Sequence, residues 1–67
     1  SLKEARDRAE EQLVVDTLRR TLGNISRAAR ELDVSRPTLH DLLRKHAIDA
    51  RHFKTNRSTN PDENEED

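Results

Sequence analysis

The sequence contains no cysteine, tryptophan, tyrosine or methionine, and Phe53 is its single aromatic residue. Without cysteine the chain can form neither a disulfide nor a zinc site with thiolate ligands. It also has no run of about 20 apolar residues, so the sequence predicts no membrane-spanning helix and no membrane partner. A core built almost without aromatic side chains must rest on leucine, valine, isoleucine and alanine. This composition favours packed helices over a sheet, and we expect an all-α fold.

The chain is short, with 67 residues of which 30% are hydrophobic. A chain of this size forms at most one domain and buries a small fraction of its surface, so a monomer has a small margin of stability. Disulfides, metals or partner chains usually compensate. Since the composition offers no disulfide, it favours stabilisation by a second protein chain.

Charge is distributed unevenly along the sequence, although the formal net charge is only −1. Residues 1–22 have a net charge of 0, residues 23–54 of +3 and residues 55–67 of −4. The middle of the chain is therefore basic, and the acidic end hides this in the overall isoelectric point. Because residues 55–67 combine carboxylates and turn formers with no aliphatic side chain, we expect them to be a disordered acidic tail.

Residues 1–22 have the pattern of one long helix. Ser1 and Glu4 have the spacing of a capping box, and Gly23 follows the last apolar residue as a typical helix terminator. The apolar residues recur at intervals of three to five along one approximate stripe: Leu2, Ala5, Ala9, Leu13, Leu18 and Leu22. The sequence therefore predicts that Leu18 and Leu22 pack on the following helices.

Two short helices are predicted after Gly23. Asn24 is a favourable N-cap for a second helix of about two turns. A third helix then runs to about His46, with Pro37 in its first turn, where the missing N–H costs nothing. Its cap is Ser35, or alternatively Arg36, because a residue before proline disfavours the helical conformation.

The junction between the second and third helices has the side-chain pattern of a helix-turn-helix. Taking Asp33 as the corner, Ala29 precedes it by four residues, where two steeply crossing helices approach most closely. Aliphatic residues stand at the surrounding positions that such a corner buries: Leu32, Val34, Leu39 and Leu42. Because of the corner, the third helix has its own direction and can enter the major groove of DNA as a recognition helix. The DNA-binding module is thus predicted at residues 24–46, within a domain spanning residues 1–54.

Burial of the apolar side of the third helix would leave its polar side chains exposed: Arg36, Thr38, His40, Asp41, Arg44 and Lys45. Arg36 in the first turn can reach a guanine edge, whereas Arg44 and Lys45 are better placed for phosphates. The start of the second helix offers further backbone donors in Asn24, Ser26 and Arg27. Charged side chains on a small helix are usually only solvated, but the corner pattern favours contact with DNA.

The stretch GNISRAARELDVSRPTLHDLLRKHAI, residues 23–48, resembles the C-terminal Fis-type helix-turn-helix of bacterial NtrC-type enhancer-binding proteins, the sigma-54-dependent activators. The shared features are GN at the second helix, the S-R-A-A run, V-S-R at the corner and T-L in the third helix. The resemblance implies a cytoplasmic, nucleoid-associated homodimer on a palindromic upstream site. It also implies a longer protein whose ATPase domain contacts sigma-54 RNA polymerase. That ATPase is not in this chain, which has one glycine and no phosphate-binding loop.

The same resemblance assigns roles to individual positions. Arg36 resembles the principal base reader, with Ser35 and Thr38 beside it. Four positions correspond to contacts with the DNA backbone: Asn24, Ser26, Arg44 and Lys45. The sequence departs from the family in four places. Asp33 and Ala47 stand where glycine is common, and His40 and Asp41 replace residues that are often basic. Asp41 would repel phosphate, but it could accept a hydrogen bond from cytosine.

The first half of the long helix is predicted to form the dimer. The helix-turn-helix is too short to cover the whole apolar stripe, so its early members overhang: Leu2, Ala5, Ala9 and Leu13. A second copy packed there about a two-fold axis would also place two reading helices on a palindrome.

Other classes of function fit the sequence less well. The histidines, His40, His46 and His52, are six residues apart and lie on different sides of a helix, which argues against a metal site and any bound cofactor. No catalytic arrangement is present, so an enzyme is not expected. Two alternatives stay open: a stand-alone Fis-like DNA-bending protein of the nucleoid, and a helical protein-interaction module. A chain that starts within a helix favours a fragment of an activator over the stand-alone protein.

Overall fold

A computed structural model describes residues 1–54. It contains three α-helices and one short 3₁₀ helix: α1 over Leu2–Arg20, α2 over Ile25–Leu32, α3 over Arg36–Lys45, and the 3₁₀ helix over Ala50–Phe53. No strand occurs in this part of the chain. The predicted all-α fold, a long helix followed by a helix-turn-helix, is confirmed. The predicted tail lies outside the described residues.

Each helix begins at a side chain that caps its free N–H groups. Ser1 accepts from the Glu4 amide while the Glu4 side chain bonds back to the cap, so the capping box is complete. Asn24 Oδ1 accepts from the Arg27 amide at 3.0 Å. Ser35 caps α3, with Pro37 in the first turn, so Arg36 is not the cap. The predicted caps Ser1 and Asn24 are therefore confirmed, and the structure selects Ser35 from the two candidate caps of the third helix.

All three helices end on a residue other than glycine in the left-handed conformation. Leu22, Asp33 and Ala47 have φ angles of 55°, 61° and 54°. After each of them, the next amide donates to a carbonyl five residues back, for example Ile48 to Leu43 at 2.9 Å. This is the hydrogen-bond pattern of a Schellman C-cap, in which the left-handed position usually holds glycine.

The end of α1 differs from the prediction. The helix stops at Arg20 rather than residue 22, and Leu22 rather than Gly23 takes the left-handed capping position. Gly23 itself has φ +78°, and a Cβ there would lie 2.8 Å from the carbonyl oxygen of Ala50. Gly23 therefore serves two purposes: it allows the chain after α3 to approach closely, and it adopts a positive φ without strain.

Ala47→Gly is expected to raise the free energy of unfolding by up to about 1 kcal/mol, because glycine adopts positive φ without the clash that Cβ causes. Ala47 is exposed, so little packing is lost. Ala9→Gly is the matched control: this alanine is also exposed but lies within α1, where glycine costs about 1 kcal/mol. Urea denaturation of both variants measures the difference. A destabilised Ala47→Gly protein would contradict the expectation.

The core forms where α1 crosses the helix-turn-helix. Its buried residues are Val14, Thr17, Leu18, Ile25, Ala28, Ala29, Leu39 and Leu43. The prediction that Leu22 packs on the helix-turn-helix is wrong, since its side chain is 55% exposed. Thr17 fills the core instead, and its hydroxyl donates to the Leu13 carbonyl at 2.8 Å, which satisfies the polar group within the helix.

The segment after α3 folds back over this core. Ile48, Ala50 and Phe53 are partly buried against it, and the Arg19 guanidinium lies 5.9 Å from the centroid of the Phe53 ring. The sequence predicts that residues 49–54 belong to the domain but indicates no helix for them. Their 3₁₀ turn closes the end of the core next to Gly23.

Candidate nucleic-acid interface

The exposed face of α3 carries several of the side chains that the sequence selected for DNA contact. Leu39 and Leu43 turn the opposite face into the core, with 0% and 7% exposure. One shallow groove runs along the outer face, lined by Arg36, Pro37, His40, Asp41 and Arg44. These positions recur at intervals of about one helical turn, so a ligand lying along the groove would meet all five side chains.

The first turn of α3 is fixed by its own cap. Ser35 Oγ accepts from the Thr38 amide at 3.2 Å and donates to Thr38 Oγ1 at 3.0 Å. Both hydroxyls are therefore engaged with each other, and they hold the turn that presents Arg36. Arg36 is exposed at the first helical position.

The start of α2 presents a second group of exposed polar side chains. Asn24 is exposed and uses its Oδ1 as the cap, and the N–H groups of its side-chain amide can act as donors. Ser26 and Arg27 are exposed in the first turn. The helix N-terminus adds a partial positive charge, so this end of α2 suits a phosphate oxygen.

Lys45 is directed toward α1. Its Nζ lies 2.9 Å from Glu10 Oε1 and 3.3 Å from Asp7 Oδ1. The Lys45 side chain is still 48% exposed, but a phosphate would have to compete with two carboxylates for its charge. Lys45 and Arg44, for which the sequence predicts the same phosphate-binding role, therefore have different surroundings.

His46 completes this contact between α1 and the end of α3. Its side chain is 7% exposed, and Nε2 lies 2.8 Å from Glu10 Oε1. Hydrogen bonds from His46 and then Lys45 lower the pKa of Glu10 below its ordinary value of 4.5. Hydrogen bonds from Lys3 and Lys45 likewise lower the pKa of Asp7 below 3.8. The group of Asp7, Glu10, Lys45 and His46, here called the α1–α3 clamp, fixes the long helix relative to the helix-turn-helix.

Glu10→Gln is expected to lower the unfolding temperature at neutral pH and to flatten the loss of stability in acid. Because the pKa of Glu10 is lower in the folded chain, ionised Glu10 stabilises the fold above pH 4.5, and this contribution disappears as the pH falls through the lowered pKa. Thermal unfolding followed by circular dichroism over the acid range measures both effects. Glu11→Gln is the control, because Glu11 is the next residue in the chain but its carboxylate lies 4.0 Å from His46 Nδ1, too far for a hydrogen bond. Equal acid sensitivity in all three proteins would contradict a role for the clamp.

Asp41 and Arg44 form an ion pair on the outer face of α3, between Asp41 Oδ1 and Arg44 Nη2. They are three residues apart and therefore adjacent on the helix surface. The pair neutralises a carboxylate that lies within an otherwise basic groove. The sequence predicts that both residues are exposed, and their pairing is an additional finding of the structure.

Two further features of the described chain bear on function. Residues 1–54 bring no three histidine or acidic side chains together in the way a metal site requires. Within the same residues, none of the helices combines the length and apolar character needed to cross a membrane.

Comparison with known protein families gives one match. A family model described as "Bacterial regulatory protein, Fis family" matches residues 5–46, which includes most of α1 and the whole helix-turn-helix. No curated protein and no solved structure matched the chain.

Proposed function

The chain belongs to the Fis family of bacterial regulatory proteins and carries its helix-turn-helix DNA-binding domain, and we propose that it binds a palindromic DNA site as a homodimer. Domains of this family are typically DNA-binding rather than enzymatic. In this proposal α3 lies in the major groove, and the start of α2 contacts the phosphate backbone. The domain then serves transcription regulation by bringing its parent protein to a chosen site.

The outer face of α3 is the observation that carries this proposal. Its groove brings the exposed side chains of Arg36 and Arg44 together along one side of the helix, next to the face that Leu39 and Leu43 bury. Arg36 is assigned to a guanine edge, with Ser35, Thr38 and His40 close to the bases. Backbone contacts are assigned to Asn24, Ser26, Arg27, Arg44 and Lys45. For Lys45 a phosphate would share the ammonium group with Asp7 and Glu10 or compete with them for it.

The geometry of α1 supports a homodimer. At about 3.6 residues per turn, the exposed residues Leu2, Ala5, Ala9 and Leu13 lie roughly 150° around α1 from the face that Val14 and Leu18 bury. Leu2 is 74% and Leu13 54% exposed, and both alanines are exposed as well. The stripe is therefore apolar surface that the chain's own helix-turn-helix does not cover, which suits a second copy about a two-fold axis.

The finer regulatory class rests on the resemblance of residues 23–48 to sigma-54-dependent activators. We infer a cytoplasmic parent protein in which an ATPase domain contacts sigma-54 RNA polymerase while this domain holds the upstream site. Sequencing the reading frame upstream of Ser1 tests the assignment. An ATPase domain with a phosphate-binding loop supports it, and a stand-alone short protein would instead indicate a nucleoid-type relative.

Titration with duplex DNA tests the binding proposal directly. Fluorescence anisotropy with a mixed-sequence duplex should show an affinity that falls steeply as salt rises, because phosphate contacts release counterions. Selection from random duplexes should then enrich a palindrome that binds more tightly than its single half-site. No DNA binding at low salt would overturn the proposal and favour a protein-interaction module.

A further inference from the structure

Asp41 occupies the middle of the exposed face of α3. Its side chain is 71% exposed, and it lines the same groove as Arg36 and Arg44. Pro37 precedes it by one helical turn and Arg44 follows it by three residues, so these side chains share one face. A duplex that meets the two arginines in this groove must also meet the Asp41 carboxylate.

An isolated carboxylate at this position would repel the phosphates on both sides of the major groove. The ion pair with Arg44 offsets that charge and fixes the orientation of the carboxylate. An ionised carboxylate only accepts hydrogen bonds, and its two oxygens have about four acceptor sites. The bond from Arg44 therefore leaves acceptor sites for a second donor.

We propose that Asp41 is a specificity-determining residue that accepts a hydrogen bond from the N4 amine of cytosine. This rests on the proposed entry of α3 into the major groove. Guanine presents only acceptors there and thymine an acceptor and a methyl group, while adenine places the N7 acceptor beside its amine. The cytosine amine has no acceptor beside it on its own base, and the neighbouring acceptor is O6 of the paired guanine. Each half-site should therefore contain one C·G pair that Asp41 selects and Arg44 helps to position.

Selection from random duplexes with the whole chain tests this inference. Wild-type protein should enrich cytosine at one position in each half-site. Asp41→Asn should lose this preference by about tenfold and shift it toward adenine, because an amide donates as well as accepts. Asp16→Asn is the matched control, since Asp16 and Arg19 form an exposed pair three residues apart on α1. That variant should keep the cytosine.

A second variant tests whether Arg44 positions the Asp41 carboxylate or only contacts a DNA phosphate. Arg44→Ala should weaken binding and also relax the cytosine preference at the same position, whereas loss of a phosphate contact alone would leave base preferences unchanged. Circular dichroism confirms that each variant is folded.

The contrary results are distinct from one another. If Asp41→Ala binds every duplex more tightly with wild-type base preferences, Asp41 only repels phosphate, and the inference fails while the proposed function stands. If Arg44→Ala keeps the cytosine preference, Arg44 does not position Asp41. If wild-type protein binds no DNA or selects no sequence, the inference fails together with the proposed binding mode.

Discussion

Arg36→Ala is expected to weaken binding to the cognate palindrome by about 1–3 kcal/mol while leaving binding to random DNA comparatively intact. Arg36 stands at the first position of α3, and Ser35 and Thr38 hold that turn by hydrogen bonds to each other. A guanidinium presented in this way can make two hydrogen bonds to guanine, and these bonds exist only on the correct sequence. Anisotropy titrations of the cognate and a scrambled duplex measure the two affinities.

Arg27→Ala is the control for this experiment. Arg27 is exposed near the start of α2, where a phosphate contact is proposed, so its loss should weaken all duplexes similarly and reduce the salt slope by roughly one unit. If Arg36→Ala instead weakens both duplexes equally, Arg36 contacts the backbone and another residue reads the sequence.

Leu13→Glu is expected to convert the homodimer to a monomer and to reduce affinity for the palindrome far more than for one half-site. Leu13 is 54% exposed and lies at the end of the apolar stripe of α1 nearest the domain core. A glutamate there would place two charges at the two-fold contact, while the monomer fold should survive because the side chain is outside the core. A dimer links two binding events, so its loss should cost about 10²-fold or more on the palindrome.

Leu22→Glu provides a matched control for the dimer experiment, because Leu22 is 55% exposed but lies beyond the end of α1 and outside the proposed interface of Leu2, Ala5, Ala9 and Leu13. Sedimentation should show a dimer for the wild type and for Leu22→Glu, and a monomer for Leu13→Glu. A Leu13→Glu protein that sediments as a dimer with unchanged palindrome affinity would refute the proposed interface.

The sequence determined the local architecture of the DNA-binding part. Asn24 and Ser35 were identifiable as candidate caps because asparagine and serine are preferred at the N-cap. In the structure each accepts a hydrogen bond from the amide three residues later. The corner at Asp33 was identifiable because a small residue at Ala29 and aliphatic residues at fixed offsets are what a tight crossing of two helices needs. These interactions join residues close in the chain, so their spacing is visible without a fold.

The candidate site followed from the sequence in part. Burial of Leu39 and Leu43 correctly implied which side of α3 is exposed, because a helix has a fixed period. The pairing of Asp41 with Arg44 was within reach of the same rule, since side chains three residues apart are neighbours on a helix. The rule identifies possible pairs, however, and the conformations of the side chains decide which of them form.

Tertiary structure alone decided which face of α1 is buried. Two faces of the helix carry small or apolar residues, and a periodicity argument based on aliphatic residues selected Leu22 and overlooked Thr17. Docking of α2 and α3 selects the face of Val14, Thr17 and Leu18. Threonine can lie in this core because its hydroxyl bonds to its own helix, which a hydropathy pattern does not reveal.

Tertiary structure also decided the environments of Lys45 and Phe53. Lys45 donates a hydrogen bond to Glu10, which lies 35 residues earlier in the chain. The ring of Phe53 lies against the guanidinium of Arg19, near the end of α1. Both contacts exist because the chain after Gly23 turns back along α1. The sequence determines caps, helix periods and the corner through interactions of short range, whereas partners more than 30 residues apart depend on how the finished helices pack.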